Sequence, residues 1–212
     1  MNYGHAATTP YLQITKSQLK VDTFTQKGYV ISIYDETENA RLIHEVNELR
    51  SHDIMTGLFN RNYFEEIQKT IDYSDEKICM ILLDVDGLKL RNDYLGHSEG
   101  DRLLIDFSSY LSEVIKPYKS AVGIRLGGDE FMVILRDCDE DVVDDVIHHL
   151  KVLCDENQGK RRISFSYGFS IRKNKKDNLL AIMKRCDLML YEEKAKRIEY
   201  RKRLEKELKS NI

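Results

Sequence analysis

Apolar residues recur along this chain in two periods, and the change from one to the other predicts alternating strands and helices. The longest purely apolar run is Ile78-Cys79-Met80-Ile81-Leu82-Leu83. Six residues suit a buried strand, read as Ile78–Val85, and fall far short of the roughly 20 needed to cross a bilayer. Helical spacing marks Arg61–Ile71, with Phe64, Ile67 and Ile71 inward, and Gly100–Ile115, with Leu103, Leu104, Phe107, Leu111 and Val114 on one face. Strands Val122–Leu126 and Phe131–Leu135 flank Gly127-Gly128-Asp129-Glu130, which reads as a hairpin turn. A helix follows over Asp141–Cys154. Arg162–Ile171 alternates strictly, with Ile163, Phe165, Tyr167, Phe169 and Ile171 on one side. A last helix starts near Asn178 and runs on through the charged stretch Lys194–Lys209. The expected fold is α/β, an α+β sandwich. Its central mixed sheet has about five strands, contains an antiparallel hairpin and is covered by helices.

Ahead of this body, Tyr11–Ile14 and Tyr29–Tyr34 read as short strands punctuated by Gly28. Asp35-Glu36-Thr37-Glu38 then opens a helix that Asp35 or Thr37 can cap. Leu42, Val46 and Leu49, with Ile43 beside them, form an apolar stripe. It suits either a short coiled-coil dimeriser or a helix packed on its own domain. About 35 residues of strand are too few for an independent domain. The division expected is strands over 1–36, a connecting helix over 37–52, the main domain over 53–198 and a charged helical extension over 199–212.

Composition narrows the function classes. With 42% hydrophobic residues, the 212-residue chain can bury a core. Lys+Arg at 33 against Asp+Glu at 36 gives a net charge of −3, so no basic excess calls for nucleic acid. The first ten residues hold no basic stretch leading into an apolar one, so neither a secretory leader nor membrane contact is expected and the location expected is cytoplasmic. The four cysteines, at 79, 138, 154 and 186, have no metal-knuckle spacing and read as buried, reduced thiols.

Three segments carry candidate chemistry. Asp84-Val85-Asp86-Gly87-Leu88-Lys89-Leu90-Arg91-Asn92-Asp93 closes the most apolar strand, Gly96-His97-Ser98-Glu99-Gly100-Asp101 opens a helix, and Arg125-Leu126-Gly127-Gly128-Asp129-Glu130-Phe131 spans the hairpin. A carboxylate ending a buried strand is costly without compensation. Asp84 and the pair Asp129-Glu130, on neighbouring strands, would make a hard oxygen site suited to Mg²⁺. Two such ions can clamp the attacking and leaving oxygens of a phosphoryl or nucleotidyl transfer. The Gly87-Leu88-Lys89 loop can offer amides and an ammonium to phosphates. Taken singly, each piece reads more simply: a turn, a cap, a surface histidine at His97. Together they point to a site.

That combination resembles the GGDEF family of diguanylate cyclases over about residues 51–198. Asp53-Ile54-Met55-Thr56-Gly57-Leu58-Phe59-Asn60-Arg61 is similar to the family's opening motif. Asp84 to Asp101 is similar to its D-x-D-x-F-K-x-x-N-D-x-x-G-H-x-x-G-D. Gly127 to Phe131 is the unaltered hallmark, and Ser166-Tyr167-Gly168 and Tyr191-Glu192-Glu193-Lys194 match later motifs. The resemblance implies a nucleotide-cyclase, polymerase-palm architecture that condenses two GTP into cyclic di-GMP and releases pyrophosphate, with one GTP per protomer of a homodimer. It implies two Mg²⁺ ions per site, or Mn²⁺, on Asp84, the Val85 carbonyl and Asp129, supported by Glu130. Asp129 would also help deprotonate the attacking hydroxyl. Gly87, Leu88 and Lys89 would cradle phosphates, Gly127 and Gly128 would admit the substrate, Lys194 would neutralise the triphosphate, and Asn92 and Asp101 would read guanine. An ionised Asp only accepts, which matches the N1–H and N2–H₂ donors of guanine and not adenine. The dimer would form through the 37–52 helix and facing active sites. The preceding strands, ending Ile33-Tyr34-Asp35-Glu36-Thr37-Glu38, resemble the end of a PAS sensor, so an upstream sensor in a longer parent, itself free to be membrane-anchored, is expected.

Several positions depart from the family pattern. Leu88 replaces a Phe, Arg91 stands where an apolar residue is usual, and Ala195-Lys196-Arg197-Ile198 replaces a Gly-Arg-Asn. Tyr118 and Ala121 occupy the R-x-x-D positions of the family's product-inhibition site, so no feedback is expected there. Arg91 is expected to snorkel to solvent or to displace the loop. These departures support an alternative, a catalytically weak GTP-binding signalling module.

Overall fold

The computed structural model describes residues 10–19, 28–156, 162–172 and 177–210. They fall into two compact units, divided between Leu49 and Arg50. In the first unit, β1 (Leu12–Leu19) and β2 (Gly28–Asp35) pair antiparallel. Helix α1 (Thr37–Ser51) begins in that unit. Asp35 Oδ1 accepts from the Thr37 amide at 2.9 Å, which caps the helix, and hydrogen bonding to the Thr37 side chain first, then to its amide, lowers the Asp35 pKa. Ile14, Ile31 and Ile33 of the hairpin are exposed, as are Leu42, Ile43 and Val46 of α1.

The second unit is built on a five-stranded sheet. Its strands are β3 (Phe59–Asn60), β4 (Ile78–Val85), β5 (Val122–Gly127), β6 (Glu130–Arg136) and β7 (Phe165–Ile171), in the order β3-β5-β6-β4-β7. Only β3 and β5 run parallel. Every residue of the central β4 is buried, because helices cover both sheet faces. Cys79, Ile81, Leu83 and Val85 enter a core with α4 (His97–Ile115) and α5 (Glu140–Glu156). Ile78, Met80 and Leu82 enter a second core with α2 (Arg61–Asp72) and α6 (Leu179–Lys196). Asp84 has the parity of the second set, so it faces the side that α6 covers.

The small residues of β7 have a packing reason. A Cβ at Gly168 would overlap the backbone of Cys186 and Leu190 in α6. The helix therefore lies directly on the strand, and Ser166, Gly168 and Ser170 are buried beneath it.

Several expectations need correction. Leu88 and Lys89, expected in a loop with Gly87, open a helix instead, α3 (Leu88–Leu95). The last helix is two, α6 and α7 (Ile198–Ser210), broken at Arg197. Two of the four thiols are not free: Cys79 and Cys138 form a disulfide with Cα atoms 6.1 Å apart. Cys79 pairs with Leu135 across the β4–β6 ladder, and the chain after β6 turns back so that Cys138 meets it. Cys154 and Cys186 are buried free thiols, each pushed up to about 12 mainly by burial. Arg91 neither reaches solvent nor splays the chain: it is 5% exposed and donates through Nη2 to the Arg162 carbonyl at 3.0 Å. No helix among the described residues is long and apolar enough to cross a membrane.

Candidate active site

The ends of β4 and β6 bring the predicted acids together. The register sets Asp84 opposite Glu130 on one side and Ser166 on the other. The Val85 amide donates to the Asp129 carbonyl at 3.0 Å, which ties the hairpin tip to the end of β4. Asp84 is 3% exposed, and its Oδ2 accepts from Lys194 Nζ at 2.6 Å. Burial pushes the Asp84 carboxyl up to about 6; the charges of Asp129 and Asp86 push the same way, and Lys194 pulls against them. A buried carboxylate with that pKa lacks positive charge, and one lysine does not supply enough. Glu130 and Lys89 are exposed. Among the described residues, no group of three or more His, Cys, Asp or Glu side chains is gathered as a preformed metal cage.

The hairpin is braced from a distance. Arg125 donates to the Gly128 carbonyl through Nη2 at 2.9 Å and through Nε at 3.2 Å, and its Nη1 reaches Asp53 Oδ1 at 3.1 Å. Asp53 Oδ1 also accepts from the Thr56 amide and hydroxyl at 2.9 and 2.7 Å. Burial pushes the Asp53 carboxyl up, but these hydrogen bonds and the arginine charge outweigh it and leave its pKa lowered. The opening motif is thus a turn and a brace. Asn60 caps α2 by accepting from the Tyr63 amide at 3.1 Å. Gly127 and Gly128 take φ of +146° and +55°, conformations that a side chain strongly disfavours.

Beyond Asp84, the chain passes Gly87 at φ +80° into α3. Asp86 is buried. Its oxygens accept from Ser164 Oγ at 2.7 Å and Ser166 Oγ at 2.9 Å, fixing the turn between β4 and α3. Asn92 and Asp101 lie on α3 and α4. Asn92 Oδ1 is buried without a hydrogen-bond partner among the described residues, whereas Asp101 is exposed. Gly100 makes room for this asparagine, since a Cβ there would overlap Asn92 Oδ1.

A cavity of about 560 Å³ adjoins Asp129. It is lined by Gly87, Leu88, Lys89, Leu90 and Asp93, and by Lys202 and Glu205 of α7. The α7 residues carry no motif, and the sequence marks them only as a charged extension. Arg125 and Asp86, though quoted within motifs, had no assigned role; their partners lie about 70 to 80 residues away. Arg197, which could have replaced the displaced family arginine, is engaged at the buried side of that segment, with Nη1 3.9 Å from Asp86 Oδ2. Its Nη1 donates to Ser164 Oγ at 2.9 Å and its Nη2 to Glu193 at 3.4 Å.

A largely antiparallel sheet with helices on both faces, ending in two carboxylates and a lysine, defines an α/β domain with an acidic site at the sheet end. The chain belongs to the GGDEF family: the profile described as "Diguanylate cyclase, GGDEF domain" matches residues 50–199. It is similar to the probable diguanylate cyclase DgcE of Escherichia coli, 35% identical over 115 residues, 52% of this chain and 10% of that protein. It is also similar to the probable diguanylate cyclase DgcJ of the same organism, 32% identical over 157 residues, 71% of this chain and 31% of that protein. The chain therefore spans less than a third of either relative. Among solved structures, the coiled coil and GGDEF domain of DgcB from Caulobacter crescentus, in complex with c-di-GMP, superposes with a TM-score of 0.69. The two are 27% identical, over 76% of this chain and 89% of that one.

Proposed function

We propose that this domain is a diguanylate cyclase: it condenses two GTP into cyclic di-GMP, releases pyrophosphate, and works as a homodimer with one GTP per protomer. The observation that carries the reading is the meeting of Asp84 and Asp129 at the ends of paired strands, with Lys194 on Asp84 at 2.6 Å. Mg²⁺ is commonly held by one or two carboxylates together with substrate phosphates. Asp84, Asp129 and the Val85 carbonyl are such a donor set, and the underpaired charge of Asp84 fits a divalent cation, Mg²⁺ or Mn²⁺, two per site. Held on those oxygens, such ions would supply positive charge to the triphosphate and the reacting phosphorus. Glu130 supports them from the exposed side.

The chain's own groups do the rest. Gly87 and Leu88 amides and the exposed Lys89 take phosphate oxygens along the cavity, and Gly127 and Gly128 let the substrate approach the hairpin. Lys194, with about a third of its side chain exposed (32%), can turn from Asp84 to the triphosphate. Asp129 accepts the proton of the attacking 3′-hydroxyl. Asn92, whose Oδ1 has no partner among the described residues, and the exposed Asp101 of α4 accept from the donor edge of guanine. A ring closure between two nucleotides needs two sites facing each other. The exposed Leu42, Ile43 and Val46 face of α1 supplies a dimerising seam, as the coiled coil of the DgcB structure suggests. Signals from an upstream sensor, in a longer parent, would act through this helix in a cytoplasmic setting.

One observation favours a second reading, a GTP-binding module with weak turnover. Helix α7 stands against the phosphate segment, where a Cβ at Gly87 would overlap Leu204. Incubation with GTP and Mg²⁺ followed by chromatography separates the two. Cyclic di-GMP, lost in Asp129→Ala, supports the cyclase; GTP binding without product selects the module.

A further inference from the structure

On the side of α7 away from Lys202 and Glu205, two adjoining cavities of about 430 and 470 Å³ share Arg162, Tyr200 and Arg203 as lining. The first also takes Lys151 from α5 and Arg197 from the α6–α7 break, and the second takes Arg91 from α3. Five cations thus face one cleft on a chain whose net charge is −3. Its acidic lining residues are Asp155, already bound to Arg162 Nε at 2.8 Å, and Glu207, and Arg197 is also answered from outside the lining by Asp86 at 3.9 Å and Glu193 at 3.4 Å. Lys151 Nζ stands over the Tyr167 ring at 4.8 Å, and Arg203 makes no ion pair among the described residues.

With Arg162 and Arg197 already paired, the positive charge left over in the cleft is that of Lys151, Arg203 and Arg91. Arg91 shows this at one atom: it is 95% buried and bonded to the Arg162 carbonyl and to Tyr200, yet its Nε has no hydrogen-bond partner among the described residues. A buried guanidinium with an open donor is costly unless an acceptor comes to it. Arginine forks suit phosphate oxygens, which accept two parallel N–H bonds. The cavities are large enough for more than one phosphate group.

We propose that the cleft between α7, the end of α5 and the start of β7 is a second anion site, separate from the GTP cavity, that takes a ligand bearing two or more phosphate charges. Because Arg91 lies in the helix that follows Gly87–Lys89, a ligand here holds α3 and α7 in their present relation. The site stands whether or not the domain cyclises GTP.

Calorimetry on the full chain tests it in EDTA, where no divalent ion assists the GTP cavity. Pyrophosphate is one probe and ADP the other. Each is titrated into the wild type, Arg203→Ser, Lys151→Ser and, as the control for the GTP cavity, Lys89→Ser. The expected result is binding of at least one probe, weakened about tenfold or more in Arg203→Ser and Lys151→Ser and unaltered in Lys89→Ser. Binding of pyrophosphate alone identifies free polyphosphate as the source, and binding of ADP alone identifies a nucleotide. No binding of either probe overturns the proposal. So does a loss that follows Lys89→Ser and spares Arg203→Ser and Lys151→Ser.

Discussion

Replacing Asp84 with asparagine should stabilise the metal-free domain while removing its proposed chemistry. Burial first, then the charges of Asp129 and Asp86, raise this carboxyl from 3.8 to about 6 despite the 2.6 Å bond from Lys194. The unfolded chain therefore loses its Asp84 proton before the folded one does. Stability falls as pH rises from about 4 to about 6 and levels off above that window. At about 1.36 kcal/mol per pH unit, an ionised Asp84 costs the fold up to about 3 kcal/mol near pH 7. Asp84→Asn keeps the shape and discards the charge. Lys194, partly exposed, can turn to water once its partner is neutral. Urea unfolding in EDTA, followed by circular dichroism, measures the difference. We expect Asp84→Asn to gain about 2–3 kcal/mol at about pH 7 and almost nothing at about pH 4. An equal gain at both pH values, or a loss at about pH 7, would refute the reasoning.

Gly168→Ala should drive α6 off β7, since the added carbon meets helix backbone rather than a movable side chain. A loss of about 1–3 kcal/mol in denaturation, with a larger fall in GTP turnover because Lys194 rides on α6, is expected. Arg125→Ala frees the Gly128 carbonyl and strips Asp53 of its cation. Stability should drop about 1–3 kcal/mol, and proteolysis should begin to cut at the hairpin. Tyr118 is bonded to Asp145, and its phenol is pushed up to about 12 chiefly by that bond. With Ala121 beside it, this position offers no arginine to a product phosphate. Adding cyclic di-GMP should leave the initial rate unchanged, and strong inhibition with binding near Tyr118 would contradict that.

The strands were the most legible part of the fold. The sequence marks Ile78–Val85 with the bounds the structure shows, because the run Ile78–Leu83 is apolar throughout and only Asp84, at its end, is polar. Helix α3 escaped notice for the opposite reason. It has only eight residues, and its buried position is Arg91, a charge where the periodicity looks for an apolar side chain. The division of α6 from α7 at Arg197 was hidden by charged residues that run through both without Gly or Pro. Strand β3, at two residues, is too short for any period.

At the site, Asp84 and Asp129 were legible because acids at strand ends can be placed by the strands themselves. The Arg125–Asp53 brace, the serine pair on Asp86 and the Cys79–Cys138 disulfide were not. Each joins residues at least 59 positions apart, a pairing that only the register and helix packing decide. Arg91 was seen as a departure, but its reason, a carbonyl at Arg162 and a cleft lined by Tyr200, depends on a helix whose position the charge pattern does not encode.

The central claim is that the carboxylates of Asp84 and Asp129 jointly hold the divalent ions that grip the triphosphate. Electron paramagnetic resonance of Mn²⁺, titrated into the domain with GTP, tests it most directly. The account predicts a bound Mn²⁺ signal in the wild type that requires GTP and disappears in both Asp84→Ala and Asp129→Ala. A bound signal that persists undiminished in either variant would contradict it.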